Sequence, residues 1–362
     1  MKILYLIDTL YNAGGMERIL ILKANRLASA FGYEVTFVTN HQKGRPTFFP
    51  LGPQVKLLDI GCFLRLPIQV PLYLRKLDDV VKAEKPDIII DLHLLTMGKL
   101  KERYPGVVVM SEFHFCHEMF RIRKKTRRMH RMEKAVSRLD CFVVLTQEDK
   151  KAWEPFYPHI VQIYNPSTFI QDDGVRAPLE AKRCISGGRF ESQKNYSRMI
   201  ELWSQLHPRH PDWVLDLYGN GKEKKKIEKQ IVRLGLGDSV RLHPASRQIR
   251  EEMLGSSIYL MTSLFEGFPL VLAESASIGL PCVAFRCPCG PGEFIRDGVD
   301  GFTAHPADSQ EWIAKVEKLM DNSELRKKMG ENSLEKAKDF TEKLIIPRWD
   351  ALFRELVKKK HA

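Results

Sequence analysis

Two glutamates eight residues apart, Glu266 and Glu274, flank the start of an expected helix. Glu266 lies in the breaker cluster Glu266-Gly267-Phe268-Pro269, after the apolar run Ile258-Tyr259-Leu260-Met261, and Glu274 lies in the stretch 270–278, which Gly279-Leu280-Pro281 ends. Pro269 suits a first helical position because it lacks the N–H that would be unpaired there. The amides of Leu270 and its successors then present the positive end of the helix dipole, which attracts phosphate. A carboxylate beside such an anion site is a poor phosphate ligand and a good acceptor for paired sugar hydroxyls. The pair therefore points to a sugar nucleotide; the plainer alternative is two surface residues of one helix.

Basic residues complete this chemistry. Arg189 and Lys194 stand five residues apart around the turn Glu191-Ser192-Gln193, after the glycine-containing run Ser186-Gly187-Gly188. They can converge on one pyrophosphate, the arginine as a fork and the lysine as a mobile point charge. Gly14-Gly15 follows the first apolar run, and adjacent glycines let backbone N–H groups come close to a phosphate or a sugar. His93 and His114 each fall just past the end of an expected strand, where ligands gather in parallel sheets. Alone, each feature also reads as a structural loop, a surface charge or a packed histidine.

The ordered set Glu266-Gly267-Phe268-Pro269, Glu274, Gly279-Leu280-Pro281, Gly290-Pro291-Gly292-Glu293 and Asp297-Gly298-Val299-Asp300-Gly301-Phe302 resembles the nucleotide-sugar site of glycosyltransferase family 4. The resemblance implies a retaining enzyme of the GT-B fold: α/β, with two facing doubly wound Rossmann-like domains and an interdomain cleft. Donor phosphates would meet Arg189, Lys194, the helix start at Phe268, Pro269 and Leu270, and the loop of Gly14 and Gly15. Glu274 would accept from ribose hydroxyls, Glu266 from hydroxyls of the transferred sugar, and His114, preferred over His93, would stand near the reacting carbon. Catalysis would rest on His114, Glu266, Arg189 and Lys194. The donor would be a nucleoside-diphosphate sugar, uridine favoured over guanosine, and the acceptor a glycan or a lipid-linked saccharide of the cell envelope. No cofactor and no divalent metal are expected; the D-x-D metal motif of the other common glycosyltransferase fold is absent.

Composition is consistent with this. The 362 residues, 44% hydrophobic and 28% charged, suffice for two domain cores. Seven cysteines form no even framework, and Cys287-Pro288-Cys289 lacks the spacing of a zinc site, so a reducing cytoplasm is expected. The first residues read as a strand rather than a secretion signal, and no apolar run reaches the roughly 20 residues of a bilayer span. The net charge of +12 implies attraction to polyanions without choosing among them. The basic segment 121–131 suits an anionic membrane surface or a pyrophosphate-linked acceptor, while sparse aromatics argue against nucleic acid. A sugar-nucleotide epimerase of the same fold, a non-catalytic nucleotide-binding protein and a nucleic-acid binder are the competing classes.

Several elements must position these groups. Strands are expected over 2–7, 33–39, 87–91 and 107–110, with 141–145 closing the first sheet and a further short strand ending at Ile163-Tyr164. A helix is expected after Gly15 with Ile19, Leu22, Leu27 and Ala30 inward, and one helical stripe over 120–139 through Met129, Met132, Val136 and Leu139. The expected domains are 1–166 and 183–345, joined by a linker over 167–182 that includes Gln171-Asp172-Asp173-Gly174. The last segment, 346–362, would be a helix crossing back to the first domain.

Overall fold

The apolar runs become strands because both faces are covered, and the covering helices make the sheets parallel. In the computed structural model, which describes residues 1–157, 159–169 and 174–362, the chain divides into two compact units, Met1–Pro166 with Lys343–Ala362, and Ser167–Glu342.

The first unit is built on β1 (Lys2–Ile7), β2 (Glu34–Thr39), β3 (Val55–Asp59), β4 (Ile88–Asp91), β5 (Val108–Phe113), β6 (Cys141–Val144) and β7 (Ile160–Gln162). Their order is β3-β2-β1-β4-β5-β6-β7, all parallel, with Ile3 opposite Val35 on one side and Ile88 on the other. The sheet therefore continues past β6, where closure was expected, because Phe142 and Val144 pair with Ile160 and Gln162. The helix Gly15–Phe31 ends at Gly32, whose φ of 67° lets its amide and that of Tyr33 reach back to Ala28 and Leu27. Its buried face differs from the expected one: Leu20, Lys23, Ala24 and Ala28 join Ile19 and Leu27, while Ala30 is exposed. The stripe over 120–139 is two helices, Glu118–Ile122 and Thr126–Val136, broken at Lys124 with φ of 51°. The final helix, Glu342–His361, packs Ile345, Trp349 and Phe353 into the core of this first sheet.

The second unit carries β8 (Arg183–Gly187), β9 (Val214–Tyr218), β10 (Val240–His243), β11 (Ile258–Met261), β12 (Cys282–Phe285) and β13 (Gly301–Ala304), in the parallel order β10-β9-β8-β11-β12-β13. Trp203 and Trp312 are fully buried in the core under it. Of the expected linker, Ile170, Gln171, Asp172 and Asp173 lie outside the described residues. The stretch 174–182 is laced to the second unit, since the Ala177 amide donates to Ile278 O at 2.8 Å and the buried Arg326 donates to Leu179 O at 3.2 Å.

Strand order reverses direction between β1 and β4 in one sheet, and between β8 and β11 in the other. Ligands of open parallel sheets bind beyond the carboxyl ends of the strands at such points.

Candidate active site

At the second unit's switch point the loops after β8 and β11 are tied together. Leu264 N donates to Gln193 O at 2.8 Å, and Thr262 Oγ1 donates to Asn195 O at 3.1 Å. These bonds bring two residues 72 positions apart into contact: Lys194 Nζ donates to Glu266 Oε1 at 2.8 Å. Glu266 is almost fully buried and Lys194 is largely covered, their side chains 7% and 19% exposed, so water screens the pair poorly. Gln193 steadies the same loop by donating to Phe265 O at 3.0 Å. A small cavity bounded by Ser186, Gly187, Lys194, Tyr196 and Thr262 lies beside the pair. Gly188 gives the lysine its room, because a Cβ there would fall 2.9 Å from Lys194 Cε and 3.1 Å from the Tyr196 hydroxyl.

Arg189 is exposed on the preceding turn. On the same turn, Glu191 has its carboxylate held below its usual range by a hydrogen bond from Lys222, with Arg189 adding to the effect. Lys194 and Glu266 thus meet, and Arg189 stands at the rim of the same turn.

The helix start expected to hold phosphate is shifted by one residue. The helix is Leu270–Ser277 and Pro269 is its N-cap, with φ −73° and ψ 77°. Two early amides are already engaged, Leu270 N with Phe268 O and Leu272 N with Pro269 O, both at 2.8 Å. Phe268 anchors the turn by packing edge-on against Phe294, ring centroids 4.7 Å apart. Glu274 is buried, and Thr168 Oγ1 donates to its Oε1 at 2.6 Å.

In the first unit, Gly14 is the N-cap of the helix that Gly15 opens. The carboxylate of Glu17 curls back over this start, so close that a Cβ on Gly14 would fall 2.1 Å from Glu17 Oε2. At Gly15 the space is open, and a Cβ there would meet nothing within 4 Å. His93 is buried between two acids: Nδ1 is 3.1 Å from Asp91 Oδ1, and Nε2 is 3.3 Å from Asp8 Oδ1. Burial works against its charged form, but the bonds to Asp8 and Asp91 outweigh it and push its pKa up to about 9. Asn40 Nδ2 donates to Asp8 Oδ1 at 3.0 Å and completes the cluster.

His114 stands at the end of β5, its side chain 4% exposed, with Nε2 3.4 Å from Glu112 Oε2. That nitrogen completes no hydrogen bond. Glu112 also takes a hydrogen bond from Lys23, a fully buried ammonium whose other side lies 3.7 Å from the centre of the Trp349 ring. Burial disfavours the charge on Glu112, yet the Lys23 ammonium and then His114 outweigh it and hold the carboxyl below its ordinary range. Lys23 and Glu112 are absent from the sequence expectations. Their signals were a lysine in register with Ile19 and Leu27 on one helix face, and the two-residue spacing that puts Glu112 on the same strand face as His114.

Two doubly wound parallel sheets with charged groups at both switch points define a protein of the GT-B fold. Residues 170–336 match the family described as glycosyl transferases group 1, and residues 13–166 match glycosyltransferase family 4. The chain belongs to these glycosyltransferases. It is 28% identical over 97% of its length to an uncharacterized glycosyltransferase of Haemophilus influenzae, covering 99% of that protein. It is 26% identical over 96% of its length to the amylovoran biosynthesis glycosyltransferase of Erwinia amylovora, covering 98% of it. Among solved structures it is similar to a variant of S. aureus TarM in complex with fondaparinux, α-GlcNAc-glycerol and UDP, at a TM-score of 0.80 and 14% identity, over 97% of this chain and 99% of that one. Among the described residues, no helix is long and apolar enough to cross a membrane.

Proposed function

We propose that this glycosyltransferase is a retaining hexosyltransferase. It moves a sugar from a nucleoside-diphosphate donor, uridine favoured over guanosine, to a glycan or lipid-linked acceptor in cell-envelope polysaccharide synthesis. The contact between Lys194 and Glu266 at the second unit's switch point carries the reading. As the bond to the leaving diphosphate breaks, negative charge grows on the phosphate oxygens and positive charge on the sugar ring. Lys194, with Arg189 from the rim, serves the negative side, and a preformed cation in a poorly hydrated site does so without reorganising. Glu266 accepts from hydroxyls of the transferred sugar and Glu274 from the ribose. His114 stands at the acceptor side, near the reacting carbon. Because these side chains supply the positive charge, the reaction as proposed needs no divalent cation and no cofactor.

Two likenesses support the donor and the pathway class: the relative named for amylovoran biosynthesis, and the TarM structure solved with UDP. The exposed basic segment 121–131 supports a protein that works on the cytoplasmic face of a membrane. The test is a panel of nucleotide sugars read by thermal shift, followed by a transfer assay. A ligand bound only by the folded state raises its apparent stability. Stabilisation by UDP-sugars and by no other class, with product formed only when an acceptor is added, is the expected result. Conversion of the donor without an acceptor favours the epimerase instead, and binding without turnover favours the nucleotide-binding protein.

A further inference from the structure

The first unit holds a cavity of about 150 Å³ between the end of β5 and the two short helices that follow. Its walls are apolar and soft: Leu94, Met97, Met119 and Met132 line it, and methionine adapts to flexible hydrocarbon better than branched side chains do. At its inner end are Glu112 and His114, and His114 Nε2 is buried there without a hydrogen-bond partner. At its mouth stand Lys125 and Arg128, both exposed.

The mouth is also a helix N-terminus whose charges run the wrong way. Lys125 is the N-cap of Thr126–Val136, no side chain caps it, and its first turn has no acidic residue while carrying Arg127 and Arg128. Cations at that end oppose the helix dipole, and an anion seated among them reverses the sign of the interaction. An anion site at the mouth, a thioether wall behind it and an imidazole nitrogen without a hydrogen-bond partner inside make one amphiphilic receptor.

We infer that this cavity binds a phosphate or pyrophosphate ester of a hydrocarbon alcohol. The phosphate meets Lys125, Arg128 and the helix start, the hydrocarbon lies along the methionine wall, and His114 Nε2 donates to an oxygen of the head group. Lys23 neutralises Glu112, so the carboxylate inside does not repel the head group. The inference rests on the glycosyl-transfer reading and deepens it by naming the acceptor as lipid-linked through phosphate.

Isothermal titration of the full chain with farnesyl pyrophosphate, inorganic pyrophosphate, farnesol and phosphatidylglycerol vesicles tests it, with UDP titrated into the same samples. Saturable binding of farnesyl pyrophosphate at least tenfold tighter than either inorganic pyrophosphate or farnesol is expected. The double variant Lys125→Glu, Arg128→Glu, whose acids suit a helix start, is expected to weaken it at least tenfold, and Leu94→Asp to weaken it while leaving inorganic pyrophosphate unchanged. Equal affinity for inorganic pyrophosphate overturns the inference in favour of a bare anion site. Vesicle binding without farnesyl pyrophosphate binding overturns it in favour of a membrane-facing surface. A chain that binds UDP but not farnesyl pyrophosphate refutes this inference alone, whereas the reverse pattern refutes the donor assignment and leaves the cavity's ligand standing.

Discussion

The two sheets share one topology and carry opposite chemistry at their switch points. Beyond β1 and β4 the groups are mainly acidic: Asp8 and Asp91 hold His93 between them, and Glu17 lies against Gly14 at the next helix. Beyond β8 and β11 the exposed Arg189 and the largely covered Lys194 stand beside a glycine-lined loop, with Glu266 engaged by the lysine and Glu191 by Lys222. A doubly wound sheet fixes where a ligand can sit and says nothing about its charge. The strand-end residues decide that, and they favour a diphosphate on the second unit and a different partner on the first.

The largest effect expected from disturbing this contrast lies in the first unit. Glu112→Gln leaves the Lys23 ammonium buried without its counter-charge, and breaking a buried pair in this way costs about 3–5 kcal/mol. Urea unfolding should register that loss, and a change below about 1 kcal/mol would mean that water reaches the pair. Next comes catalysis: Lys194→Ala and Glu266→Ala should each lower transfer by about 10²–10³-fold, the range for removing one preorganised charge-stabilising group, with circular dichroism unchanged.

The acidic cluster around His93 gives a pH signature of its own. His93 has its pKa raised from 6.5 to about 9 in the folded chain, so the folded state binds its proton more tightly than the unfolded state does. Its contribution is fully present below pH 6.5 and is lost as pH rises through about 9, an effect on the order of 3 kcal/mol. Denaturation midpoints measured across that window should fall in the wild type and stay flatter in His93→Gln. The smallest effect belongs to Thr168→Val, which removes one hydrogen bond to the buried Glu274 and should cost about 1 kcal/mol.

Much of the fold was legible in the sequence because its strands are buried on both faces and read as continuous apolar runs. The strand Val55–Asp59 escaped because it is an edge strand with only its first residue buried, so its pattern is mixed. The break at Lys124 escaped because a left-handed lysine has no sequence signal comparable to glycine. At the site, Glu266 and Glu274 were legible as a pair on one short stretch, and Lys194 as a basic residue after a glycine turn. That Lys194 bonds Glu266 depends on strand order, since β8 lies next to β11 in the sheet and far from it in the chain. The Lys23–Glu112 pair was hidden for the same reason, its members being 89 residues apart.

The donor site is tested most directly by titrating UDP into the wild type and Lys194→Ala at equal protein concentration and low ionic strength. The wild type should bind saturably and the variant at least tenfold more weakly, with unchanged unfolding temperatures in the absence of nucleotide. Equal affinity in both proteins would contradict the claim that this lysine, held against Glu266 beyond β8 and β11, grips the donor's diphosphate.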